Sequence, residues 1–207
     1  MAAAGTSSGT DDPPTSSEPA DAVRSYTFKP SLAGGVRQFD LTEAGLAWQI
    51  GGRRDVWPYG SIAAVRLTYR PISMQPYRFR ADVIQDSGKR VVLLSTTWKG
   101  LAAASTQDEA YRAFVVGLHR RLADRAGKVT FSGGLRPSLY ALAVGMLGLL
   151  ALAMVALLVQ AVMTGATAGA LFLLAMAALF GWQIGGFMRR NRPCIYTPDD
   201  IPARLIP

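Results

Sequence analysis

The chain of 207 residues contains a single cysteine, Cys194, and a single histidine, His119. One thiol excludes an intrachain disulfide, and one histidine beside it leaves no Cys/His set for zinc. Gly133-Gly134 lacks the lysine of a phosphate loop, and no dinucleotide fingerprint, nucleophile elbow or HExxH motif occurs. No carboxylate, serine or cysteine is tied by a motif to His119, which stands beside an apolar helix face and reads as structural. The expectation is a non-enzymatic protein with no catalytic residue, metal or cofactor. Residues 1–23 carry no Lys or Arg and no apolar run, so no signal peptide is expected there. Residues 1–24 are rich in Ala, Gly, Ser, Thr, Pro and Asp and are expected to form a disordered tail, because they offer too little apolar surface to offset ordering.

The longest absence is of charge. From Pro137 to Met188, 52 consecutive positions hold no Asp, Glu, Lys, Arg or His. About 20 apolar residues cross a bilayer core of roughly 30 Å, so this run is long enough for two helices. Thr164-Gly165-Ala166 supplies turn chemistry between them, which predicts transmembrane helices over 138–163 and 167–188. Arg136 precedes the pair, Arg189, Arg190 and Arg192 follow it, and the turn has no charge. These arginines are topology anchors that place both ends in the cytoplasm. Abundant Ala and Arg suggest a bacterial inner membrane as the compartment. Ala141 and Gly145 on the first helix, and Ala177, Gly181 and Gly185 on the second, repeat at four-residue spacing. Such positions permit close backbone approach, either within the hairpin or against a second copy or partner.

Charge elsewhere is predominantly of one sign. Residues 24–136 hold 18 Lys+Arg against 8 Asp+Glu, a balance of +10, while residues 1–23 are purely acidic. A basic domain beside a membrane segment points to anionic lipid headgroups rather than nucleic acid. Within it, Leu46, Trp48 and Ile50 alternate, Gly51-Gly52 can turn, and Val65, Leu67 and Tyr69 alternate again. Tyr77, Phe79, Ala81 and Val83 alternate before Asp86-Ser87-Gly88 and the apolar Val91 to Leu94. These are strands and a hairpin. A helix is predicted at about 107–126, with Thr106 and Glu109 as a capping box, Gly127 as C-cap, and Tyr111, Phe114, Val115, Leu118 and Leu122 as its apolar face.

The stretch Val56-Trp57-Pro58-Tyr59-Gly60-Ser61-Ile62-Ala63-Ala64-Val65 resembles the signature of bacterial pleckstrin-homology-like domains, and Phe39-Asp40-Leu41-Thr42-Glu43-Ala44-Gly45-Leu46 resembles their entry strand. The resemblance covers roughly residues 26–126. It implies an α+β fold: a small bent antiparallel barrel or sandwich capped by one C-terminal helix, occupying 25–130 and followed here by the transmembrane hairpin. In several members the helices precede the domain instead. The Lys and Arg-x-Arg pattern of inositide-binding relatives does not map onto Arg53-Arg54 or Arg78-x-Arg80, so that site is not carried over.

Arg53 and Arg54, beside the glycine turn, are candidates for lipid-phosphate contacts, with solvated loop arginines as the alternative. Cys194 reads as an ordinary thiol. The segment 189–207 is a Pro-rich cytoplasmic tail, with Tyr196, Ile201, Leu205 and Ile206 between its prolines. It is expected to be ordered, either folded back on its own domain or docked in a partner. The function expected is a membrane-anchored interaction module with a protein partner or a homo-oligomer. The alternative is an accessory hairpin subunit of a larger envelope or transport complex.

Overall fold

The computed structural model describes residues 25–31, 33–71, 78–98, 104–124 and 128–207. The expected N-terminal tail, the start of the alternation at Tyr77 and the Gly127 cap lie outside these residues.

The fold is α+β. Strands β1 (Ser25–Phe28), β2 (Arg37–Leu41), β3 (Leu46–Ile50) and β4 (Arg53–Trp57) form an antiparallel meander. Gly51 and Gly52 turn β3 into β4 with φ of +56° and +80°, the left-handed pair of a tight hairpin that side chains disfavour. The long strand β5 (Ile62–Tyr69), with β6 (Phe79–Gln85) and β7 (Arg90–Leu94), begins a second sheet. A small ladder joins β8 (Thr96–Trp98) to β9 (Ala104–Thr106), and helix α1 (Asp108–Ala123) follows. Its predicted apolar face is wholly buried, together with His119.

The predicted capping box does not form. Gln107, not Thr106, is the N-cap, because the Thr106 backbone is committed to the ladder opposite Thr96. Asp108 and Glu109 in the first turn still complement the helix dipole.

The chain then departs further from an antiparallel domain closed by its helix. Strand β10 (Thr130–Gly133) runs parallel to β5, and β11 (Cys194–Ile195) pairs antiparallel with β10. The second sheet is therefore mixed, in the order β11-β10-β5-β6-β7. The expected domain boundary at 130 falls too early. Phe131, Tyr196, Leu205 and Ile206 share one hydrophobic core with both sheets and α1.

Between β10 and β11 lie α2 (Pro137–Met163) and α3 (Thr167–Arg190), both long and apolar enough to cross a membrane. At about 1.5 Å per residue they measure roughly 40 and 36 Å. Pro137 opens α2 where its missing N–H costs nothing. The helical pair is thus an insertion between two paired strands of one domain, rather than an appendix after it.

Candidate functional site

The junction of the hairpin with the domain is built around Asn191, whose exposure is 0%. Its side-chain Oδ1 accepts from the Tyr69 N–H at 3.2 Å, at the end of β5, and its Nδ2 donates to the Phe187 carbonyl at 3.2 Å. Its own carbonyl accepts from the Leu135 N–H at 3.0 Å, while the Gly134 N–H donates to the Leu67 carbonyl at 2.8 Å. One residue therefore binds the end of α3 to the sheet and to the segment entering α2. Gly134 has φ +78°, and a Cβ there would lie 2.5 Å from the carbonyl oxygens of Asn191 and Arg192. Only glycine suits that crossing.

The tail is fastened a second time at His119. Its Nδ1 lies 2.7 Å from the Val115 carbonyl, which can only accept, so Nδ1 carries the proton. Nε2 then accepts from the Tyr196 hydroxyl at 3.0 Å. The imidazole stacks on Tyr196, with ring centroids 5.8 Å apart, and packs on Phe131 at 5.1 Å. Burial holds its pKa down at about 4, from the ordinary 6.5, against a smaller opposing effect of the Val115 hydrogen bond. It is a neutral joint at pH 7. The tail is therefore ordered and folded back on its own domain.

This folding back assembles a groove that no contiguous stretch encodes. Phe79, Asp108, Arg189, Arg190, Arg204 and Ile206 line an open depression of about 630 Å³. Phe79 and Ile206 are buried and give it an apolar floor. The Arg190 guanidinium lies 4.8 Å over the Tyr69 ring, a cation–π contact that fixes its position. Among the described residues, Arg189 and Arg204 are exposed and have no ion-pair or hydrogen-bond partner. Asp108 lies at the first turn of α1, and burial raises its carboxyl above the usual range. Three guanidinium groups against one carboxyl make this an anion-attracting concavity at the end of an apolar helix.

Of the predicted topology anchors, Arg189 and Arg190 enter the groove. The Leu135–Asn191 hydrogen bond brings Arg136 and Arg192 to the same end of the helical pair. Arg53 and Arg54 are exposed on β4 opposite Ile50 and Gln49, and neither lines the groove. Sequence reasoning missed Arg204, whose place depends on how the tail docks, and Asn191, whose role depends on a contact 122 positions away.

The glycine spacing does not do what the sequence suggested inside the hairpin. A Cβ built on Gly145, Gly181 or Gly185 meets no heavy atom within 4 Å, and Ala141 and Ala177 are exposed. These positions are not close crossing points of α2 and α3. Instead, Leu150, Met154, Leu158, Leu173 and Phe180, with Ala177 and Gly181, line an apolar cleft of about 390 Å³ between the helices. The chain matches no protein-family model, no curated protein and no solved structure.

Proposed function

We propose that this protein is a non-enzymatic, membrane-anchored interaction module. In this reading a basic pleckstrin-homology-like domain sits at the cytoplasmic face of a bacterial inner membrane, with both termini cytoplasmic, and engages a protein partner or a second copy there. The observation that carries the reading is the insertion of the apolar hairpin between paired strands β10 and β11, which holds the domain directly against the helix ends. Along the hairpin, Leu149, Leu152, Met163, Leu171 and Phe172 are each more than 60% exposed. An apolar surface of that extent needs lipid or protein around it.

The pleckstrin-homology-like assignment draws support from element order. Four antiparallel strands, then three more, then the small β8–β9 ladder and a helix precede the additions β10 and β11. Trp57, Ile62 and Val65, which carry the resemblance, are all core residues. The arginines crowded at one end of the hairpin support the orientation, since cytoplasmic flanks carry the excess of basic residues.

A crosslinking pull-down from native membranes tests the module reading. It compares the full chain with a chain in which a short Gly/Ser loop replaces residues 136–190. That replacement keeps β10, β11 and the tail, which truncation at residue 130 would strip from the core. Capture of the same partner by both chains supports the module. Capture by the full chain alone assigns recognition to the hairpin and supports an accessory subunit of a larger membrane complex, a reading favoured by the open faces at Gly145, Gly181 and Gly185.

A further inference from the structure

The arginine groove sits at the last turn of α3, the level at which a membrane helix leaves hydrocarbon for the phosphate layer. We infer that this groove is a binding site for the headgroup of an anionic phosphodiester lipid, an inference that rests on the membrane reading above. Arg189 and Arg204 approach it from two different elements, the end of α3 and the docked tail, and have no partner among the described residues. A guanidinium fork matches two phosphate oxygens, and two forks brought to one depression by different elements suit a single phosphodiester. Arg190, held over Tyr69, adds a third positive charge at the groove wall. The apolar floor of Phe79 and Ile206 suits the glycerol carbons that adjoin a lipid phosphate and disfavours a free, fully hydrated anion.

The apolar floor, rather than net charge, separates lipid from inorganic phosphate. Asp108 lines the same groove, so an occupant meets three cationic groups and one acidic one. A phosphodiester carries a single negative charge and inorganic phosphate about one to two near neutral pH, so a groove with this positive excess attracts both. The diester is favoured because its adjoining glycerol carbons cover Phe79 and Ile206, which a free phosphate leaves uncovered.

The test uses the full chain reconstituted in phosphatidylcholine bilayers doped with spin-labelled phosphatidylglycerol. The immobilised lipid fraction gives the association constant of phosphatidylglycerol relative to phosphatidylcholine. The double substitution Arg189→Gln/Arg204→Gln is expected to lower that selectivity by roughly 25-fold for the groove lipid, on the scale of one basic residue's attraction to an anionic surface. The equal charge change Lys89→Gln/Lys128→Gln is made at exposed positions beside the far end of β5 and leaves selectivity intact. Inorganic phosphate at matched ionic strength fails to displace the labelled lipid from the wild type. Equal loss from the two double variants would reduce the effect to net charge and overturn the site. Displacement from the wild type by phosphate would overturn the lipid assignment. Alkaline carbonate extraction of the wild type distinguishes membrane insertion from the groove: a chain washed out of native membranes refutes the membrane reading itself, whereas a retained chain without selectivity refutes only the groove.

Discussion

Acidification from pH 7 to pH 5 should loosen this protein through one residue. His119 is fully buried and neutral, with a folded pKa of about 4 against an ordinary 6.5. The unfolded chain therefore binds more protons than the folded chain between these values, so stability rises with pH through that window. The His119 contribution is complete above about pH 6.5, falls as pH drops toward 4, and changes no further below it. Linkage with these two pKa values gives a loss of about 2 kcal/mol between pH 7 and pH 5. The assay is urea denaturation of the full chain in detergent micelles, followed by tryptophan fluorescence, since Trp57 is 1% exposed and reports on the core. His119→Leu is less stable overall, because it strands the Tyr196 hydroxyl. It should nevertheless lack this share of the pH dependence, and taking the difference from wild type removes the carboxylates common to both. An identical pH slope in the two proteins would refute the buried neutral histidine.

Asn191→Ala removes two hydrogen bonds, one of them accepted from the buried Tyr69 N–H, for a cost of about 2–4 kcal/mol in the same denaturation experiment. An effect below about 0.5 kcal/mol would show that the junction does not depend on it. Gly134→Ala forces a Cβ against two carbonyl oxygens at positive φ and should lower the yield of folded protein and expose the tail to protease. Wild-type protease resistance would contradict the tight crossing. Gly185→Leu adds bulk to a surface that is open within one chain, so protomer stability should shift by less than about 1 kcal/mol. Loss of a captured partner in that variant, with stability kept, would place an interface on α3.

What the sequence made legible was local and periodic. The uncharged run, the glycine hairpin at Gly51-Gly52 and the apolar face of α1 each announce themselves within one element, and each stands where the pattern put it. The rest depends on partners distant in the chain. Strand β10 is only four residues, Thr-Phe-Ser-Gly, and owes its existence to β5 more than 60 positions earlier. Strand β11 is two residues inside a proline-rich segment, too short to carry periodicity. Strands β1 and β2 did offer an alternating signal in Tyr26, Phe28, Phe39 and Leu41, all buried, but each is too short to separate from loop by pattern alone. The groove was half legible. Arg189 and Arg190 are conspicuous after an uncharged run, whereas Arg204 joins them only through the docking of Tyr196, Leu205 and Ile206.

An apolar hairpin interrupts one folded domain, and a disulfide across the interruption is the measurement that decides it. Ser132 and Ile195 face each other in the β10–β11 pair, where opposed Cα atoms lie about 4.5–5.5 Å apart, a span that a disulfide bridges. Ser132→Cys and Ile195→Cys are combined with Cys194→Ser, and a protease site is placed in the turn at Gly165. After oxidation, protease is added outside intact cells. Cleavage at the turn is expected, with the two fragments still joined until reductant is added. Fragments that separate without reductant would contradict the docked tail, and a turn that resists cleavage from outside would contradict the crossing.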